Sequence, residues 1–169
     1  MNKLDILTFP DKTLSRQTSP LDNIDGKVQE MIDGMANTMY DAPGVGLAAI
    51  QVGWEKSVLI YDISPREESR ELNVLVNPKI VTREGQIISE NEGCLSVPDF
   101  RADVKRSEFV TVEGHDREGN PLRLDAEGLL AIVLQHEIDH LNGRLFIDRI
   151  SALKRELYKR RMRKILREK

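Results

Sequence analysis

One cysteine, one tryptophan and three histidines are all that 169 residues hold of these types. The lone Cys94 excludes a disulfide within the chain, which fits a reducing compartment or a task for the thiol other than cross-linking. No run approaches the ~18 apolar residues that a membrane span needs. The opening Met1-Asn2-Lys3-Leu4-Asp5-Ile6 has neither the apolar core of a signal peptide nor the Arg/Ser-rich character of a transit peptide. A cytoplasmic protein with no membrane partner is therefore expected. Repeats and low-complexity segments are absent too. What is present, 40% hydrophobic and 31% charged residues, is ordinary for a globular protein, and the length suits one domain with a real core.

The net charge of −3 is unevenly spread: residues 154–169 carry nine Lys/Arg against two Glu, a net +7 that leaves −10 on residues 1–153. An acidic body with a basic tail signals a partner, and a solvated helix face accounts for the same run.

The helical stripe Val28, Met31, Ile32, Met35 and Met39 predicts a first helix over about 23–41, ended by Pro43-Gly44. Residues 57–63 and 73–81 read as strands, 85–89 as a weaker one. Strands at 109–113 and 122–125 flank the turn Asp116-Arg117-Glu118-Gly119-Asn120, which makes a hairpin, with His115 a surface residue at the turn. A second helix lies between Gly128 and Asn142-Gly143. A third spans about 151–167, its stripe of Leu153, Leu157, Tyr158, Met162, Ile165 and Leu166 able to dock on the body. Strands do not alternate with helices, so the fold class is α+β with a mostly antiparallel sheet.

The second helix carries His136-Glu137-Ile138-Asp139-His140, an H-E-x-x-H pattern. Positions i and i+4 lie one turn apart on one helix face, so both imidazoles can bind one metal ion with Glu137 beside it as general base. A pair of surface histidines is the plain alternative. A hydrolytic metal site takes a third protein ligand and keeps one position open. The form with a third histidine would place it at 146, which is Phe146, and Glu156 falls in the basic helix. Cys94 remains, in Glu92-Gly93-Cys94-Leu95-Ser96; a thiolate suits zinc or ferrous iron, and a small buried hydrophobe is the other role open to it.

Gly44-Val45-Gly46-Leu47-Ala48-Ala49-Ile50-Gln51 superficially matches a dinucleotide fingerprint, but it follows a helix and Pro43 rather than a strand, so no nucleotide cofactor is expected. Small residues there admit close backbone approach, and Gln51 offers an amide to a developing oxyanion; a tight turn with core packing explains the segment equally.

Together these segments resemble the three signature motifs of the peptide deformylases, G-φ-G-φ-A-A-x-Q, E-G-C-φ-S and H-E-φ-D-H with φ apolar, at every defined position and in order. The likeness extends over nearly the whole chain, including Phe9-Pro10-Asp11 and the basic C-terminal helix, as in the bacterial class that ends in a helix. The resemblance implies a sheet packed around a central metal-binding helix, with a catalytic domain over 1–150 and the basic helix 151–169 docked on it. It implies hydrolysis of the N-formyl group from formyl-methionine of nascent chains. It assigns Cys94, His136 and His140 to the metal, Glu137 to general base and then acid, and Gln51 with the Leu95 N–H to the oxyanion. The family's usual ion is ferrous iron, with zinc, nickel or cobalt able to substitute. Its peptide binds as an extended strand with methionine in an apolar pocket, for which Val45, Gly46, Leu129, Ile132 and Val133 are candidates, Arg101 contacting the peptide. Some members use the C-terminal helix to dock on the ribosome. Two rivals are a zinc peptidase cutting internal amides, against which the missing third histidine and Cys94 argue, and a metal-stabilised RNA-binding domain, for which no fourth ligand suggests itself.

Overall fold

The structure, a computed structural model, describes residues 3–66 and 68–169. Its order is α1 (Gly26–Asp41), β1 (Gly46–Ala48), β2 (Val58–Tyr61), β3 (Asn73–Glu84), β4 (Ile87–Cys94), β5 (Val97–Arg106), β6 (Phe109–His115), β7 (Pro121–Glu127), α2 (Gly128–Leu141) and α3 (Ala152–Arg167). Short 3-10 turns at Ala49–Val52 and Phe146–Arg149 follow β1 and α2.

One sheet has the order β1-β2-β3-β6-β7, antiparallel throughout, and β4-β5 form a separate antiparallel hairpin. The period of two in a strand explains why Val58-Leu59-Ile60-Tyr61 is apolar without a break. Val58 and Ile60 pack with Ile32, Met35 and Met39 of α1, whereas Leu59 and Tyr61 pack with Ala131, Leu134 and Ile138 of α2. The sheet is thus covered on both faces at this end. The far side of α2 meets the β4-β5 hairpin and the turn after α2, and a third cluster there joins Val97, Val104, Phe146 and Tyr158. α2 is therefore the central element.

Local chemistry sets the ends. The Asp25 carboxylate accepts from the Val28 N–H at 3.0 Å, so α1 starts at Gly26 rather than near Asn23. Gly128, at φ +58°, turns the chain from β7 straight into α2, a conformation that favours glycine.

Three expectations need correcting. The segment read as a weak strand at 85–89 is the start of a longer β4, and β5 was not expected at all. His115 ends strand β6, half-buried and paired with Pro121, rather than sitting at the turn surface. Finally, α3 docks along Tyr158, with Met162 partly buried, while Leu153, Leu157 and Leu166 stay 71%, 55% and 48% exposed. The seat of Tyr158 is aromatic: its ring lies 5.6 Å from Phe9 and 4.8 Å from Phe100, centroid to centroid.

Candidate active site

Cys94 closes β4 where the hairpin meets α2, and the i, i+4 spacing puts His136 and His140 on the facing side of the helix. The three ligand atoms lie within 4.8 Å of one another. Cys94 Sγ is 3.3 Å from His140 Nε2, which is 3.2 Å from His136 Nε2. Two imidazole nitrogens that close either share a hydrogen in an N–H···N bond or converge on one metal ion. Burial pushes His136 down, but hydrogen bonds with Cys94 and Glu92 outweigh it and hold this imidazole well above its ordinary range. Burial, then the charge on His136, drives His140 well below. Three buried or half-buried ligand atoms that converge in this way fit a divalent ion, and thiolate with two imidazoles is a donor set for zinc or ferrous iron.

The surrounding groups are pinned. His136 Nδ1 lies 2.7 Å from Glu92 Oε1, which fixes the tautomer with the Nε2 lone pair free for the ion. Gln51, in the turn after β1, accepts from the Ala48 N–H at 2.9 Å, so its NH2 must point the other way; it donates to Ser96 Oγ at 3.0 Å and approaches Cys94 Sγ at 3.7 Å. The Ser96 N–H donates to Cys94 Sγ at 3.4 Å, support for a thiolate.

Glu137 is buried at 4% exposure, and burial pushes its carboxyl up to about 7. Its Oε2 is, among the described residues, one of two buried side-chain polar atoms with no hydrogen-bond partner, the other being His140 Nδ1. A carboxyl so placed is poised to take and return a proton near neutrality.

These groups open into a cavity of about 940 Å³. Its lining includes Cys94, His136, Glu137, Gln51 and Leu95, the last in the turn between β4 and β5. Val45, Gly46, Leu129, Ile132, Val133 and Arg101 line it as well, while His140 lies behind at 1% exposure. Val45 and Leu129 are 45% and 56% exposed, so they wall the mouth instead of packing in the core; Val133 does both, reaching the sheet cluster too. Arg101 lies over Gly93 and donates to the Asn91 carbonyl at 3.2 Å.

The family model for polypeptide deformylase matches residues 3–156. The chain belongs to the polypeptide deformylase family. It is 56% identical over 168 residues to the peptide deformylase of Desulfosudis oleivorans, covering 99% of this chain and 97% of that one. Among solved structures it is similar to the peptide deformylase of Legionella pneumophila, with a TM-score of 0.89, 45% identity and coverage of 98% and 96%. It is similar also to that of Ehrlichia chaffeensis in complex with actinonin, with a TM-score of 0.90, 36% identity and coverage of 97% and 98%. The enzyme is a hydrolase that removes the N-formyl group from the formyl-methionine of newly synthesised polypeptides, releasing formate. The family binds a divalent metal, for which the Cys94–His136–His140 cluster is suited. No helix among the described residues is long and apolar enough to cross a membrane.

Glu92, Ser96 and Arg106 touch this cluster directly or through one neighbour, yet the sequence assigns them no role. A signal existed for Glu92, since a metal-binding imidazole needs an acceptor for its second nitrogen and Glu92 heads the cysteine motif. Ser96 closes that motif, and Arg106 belongs to none.

Proposed function

We propose that Cys94, His136 and His140 hold the ion, ferrous iron in the cell, with zinc, nickel or cobalt as substitutes. The carrying observation is the convergence of their ligand atoms within 4.8 Å beside the unpartnered Oε2 of Glu137. A bound divalent ion supplies Lewis acidity, polarising the formyl oxygen and easing ionisation of water. Glu137 takes a proton from the attacking water and returns it to the leaving amine as formate departs. The Gln51 amide and the Leu95 N–H donate to the oxyanion, each such donor being worth about 2.7–4 kcal/mol. Gln51 suits this task because its carboxamide is oriented before substrate arrives.

The peptide lies as an extended strand along the cavity, its methionine against Val45, Gly46, Leu129, Ile132 and Val133, with Arg101 reaching the residues that follow. Backbone pairing explains acceptance of many sequences after methionine. Residues 1–150 form the catalytic domain, and 151–169 are an extension of it that meets the ribosome in the cytoplasm through Lys/Arg contacts to phosphate. Supporting this are the exposed Leu153 and Leu157 beside the cations of α3.

Metal analysis of protein prepared without oxygen tests the ligand set: one iron per chain is expected, absent from Cys94→Ala. Iron retained by that variant overturns the assignment. For α3, the triple variant Arg160→Glu, Lys164→Glu, Arg167→Glu spares Tyr158; it keeps peptide turnover and loses ribosome co-sedimentation at low salt, and unchanged sedimentation refutes the docking.

A further inference from the structure

Asp139 stands between the two histidines of α2 in sequence, but it does not line the cavity. Its carboxylate is gripped by two arginines. Arg106 donates from Nη1 to Oδ2 at 3.0 Å, and Arg149 donates from Nε to Oδ2 and from Nη2 to Oδ1, the latter at 2.7 Å. Arg106 turns its other donors to Glu92, Nε to Oε2 at 3.0 Å and Nη2 to Oε1. Glu92 in turn accepts from His136 Nδ1. A continuous line of side chains thus joins Arg149, in the turn after α2, to His136. Glu92, Arg106 and Asp139 have side chains only 6%, 2% and 7% exposed, whereas that of Arg149 is 30% exposed.

Charge shows what Arg149 adds. Two buried carboxylates share one buried guanidinium, Arg106 being divided between them, so without Arg149 a negative charge is left over. With Arg149 the group is neutral, and a planar fork fixes Asp139. Arg106 is then held where two of its donors meet Glu92, and Glu92 where it meets the imidazole. The turn that carries Arg149 touches His136 a second time: the Phe146 ring lies 6.4 Å from the His136 ring at an interplanar angle of 24°.

We propose that Arg149 is a positioning residue for the metal site, acting through Asp139, Arg106 and Glu92 to fix the tautomer and ring orientation of His136. This rests on the reading of Cys94, His136 and His140 as the ligand set.

Cobalt(II) tests both levels. Wild type, Arg149→Met and Arg149→Lys are titrated with cobalt against a competing chelator, recording the thiolate charge-transfer and d–d bands, with thermal melts of the metal-free proteins alongside. Both variants bind cobalt about tenfold more weakly than wild type, and their saturated d–d bands are shifted. Lysine does not rescue, because it keeps the charge and loses the fork. If the role is only structural, melting falls while the saturated spectrum stays that of wild type. If it is only electrostatic, Arg149→Met binds more tightly, a positive charge near a dication having gone, and Arg149→Lys behaves as wild type. Either result overturns the proposal. A wild-type protein with no thiolate–cobalt band overturns the ligand set itself, and the proposal with it.

Discussion

Gly46 and Glu137 fit each other so closely that a Cβ on Gly46 would lie 2.6 Å from Oε1 of Glu137 and 3.0 Å from its Cδ. The glycine lets β1 lie against the carboxyl of α2, and the carboxyl end is the part free to move away. Gly46→Ala therefore displaces the proposed base without touching the three ligands. A misplacement of about 1 Å can cost on the order of 10²-fold in rate, and a kcat loss of that size is expected, with metal content unchanged. Steady-state kinetics with metal analysis checks it; a wild-type kcat shows that the contact does not set the position of the base.

Burial of Glu137 makes metal-free stability depend on pH. Its carboxyl is pushed up to about 7 in the fold from an ordinary 4.5. A raised value means that the fold prefers the protonated form, so the contribution is complete below 4.5 and is lost as pH rises through about 7. Glu137→Gln removes that penalty. Metal-free Glu137→Gln should melt above wild type in mildly alkaline buffer, with the gap closing toward acid pH. A gap independent of pH contradicts the burial argument.

The Glu92–Arg106–Asp139 group makes the opposite prediction in acid. Burial raises the Glu92 carboxyl, but the Arg106 and His136 hydrogen bonds outweigh it and hold it down at about 2 against 4.5. Its contribution, on the order of 3 kcal/mol, is present above 4.5 and lost as pH falls toward 2. Arg106→Met leaves two buried carboxylates short of a partner, so it costs about 3–5 kcal/mol at neutral pH and abolishes that acid-side loss. Denaturant melts across pH measure both effects; a cost under 1 kcal/mol, in the range of exposed ion pairs, would show the network to be better solvated than it looks.

The corrected docking of α3 is tested by truncation of side chains. Tyr158 is 2% exposed. Its replacement by Ala empties an aromatic seat and costs about 3–5 kcal/mol, whereas Leu153→Ala and Leu157→Ala change stability by about 0.5 kcal/mol or less. A large loss at Leu157 returns the helix to the wider stripe that its sequence suggests.

What the sequence reveals follows from how local each signal is. His136 and His140 are one helical turn apart, so their shared face is legible from spacing alone. The unbroken apolar run of β2 is equally local. β5 is hidden because its buried positions Val97, Val104 and Arg106 include an arginine, and Pro98-Asp99 interrupts the alternation. Arg106 is tolerated there because Glu92 and Asp139, distant in sequence, neutralise it. Leu153 and Leu157 look like docking residues since a stripe shows only that a helix has an apolar side, while the partner's shape decides how much of it is covered. Arg106 and Arg149 escape notice for a related reason: their effect on His136 passes through contacts that exist only after α2, β4, β5 and the following turn have packed.

The central claim is that Glu137 works on an ion held by Cys94, His136 and His140. Its most direct test is formate release from formyl-Met-Ala-Ser by wild type and Glu137→Gln, both loaded with ferrous iron without oxygen, with the acetyl peptide as control. Wild type should release formate from the formyl peptide alone, and Glu137→Gln should keep its iron and lose about 10²–10⁴-fold in rate. A variant that turns over at the wild-type rate, or one that loses its iron, contradicts the account.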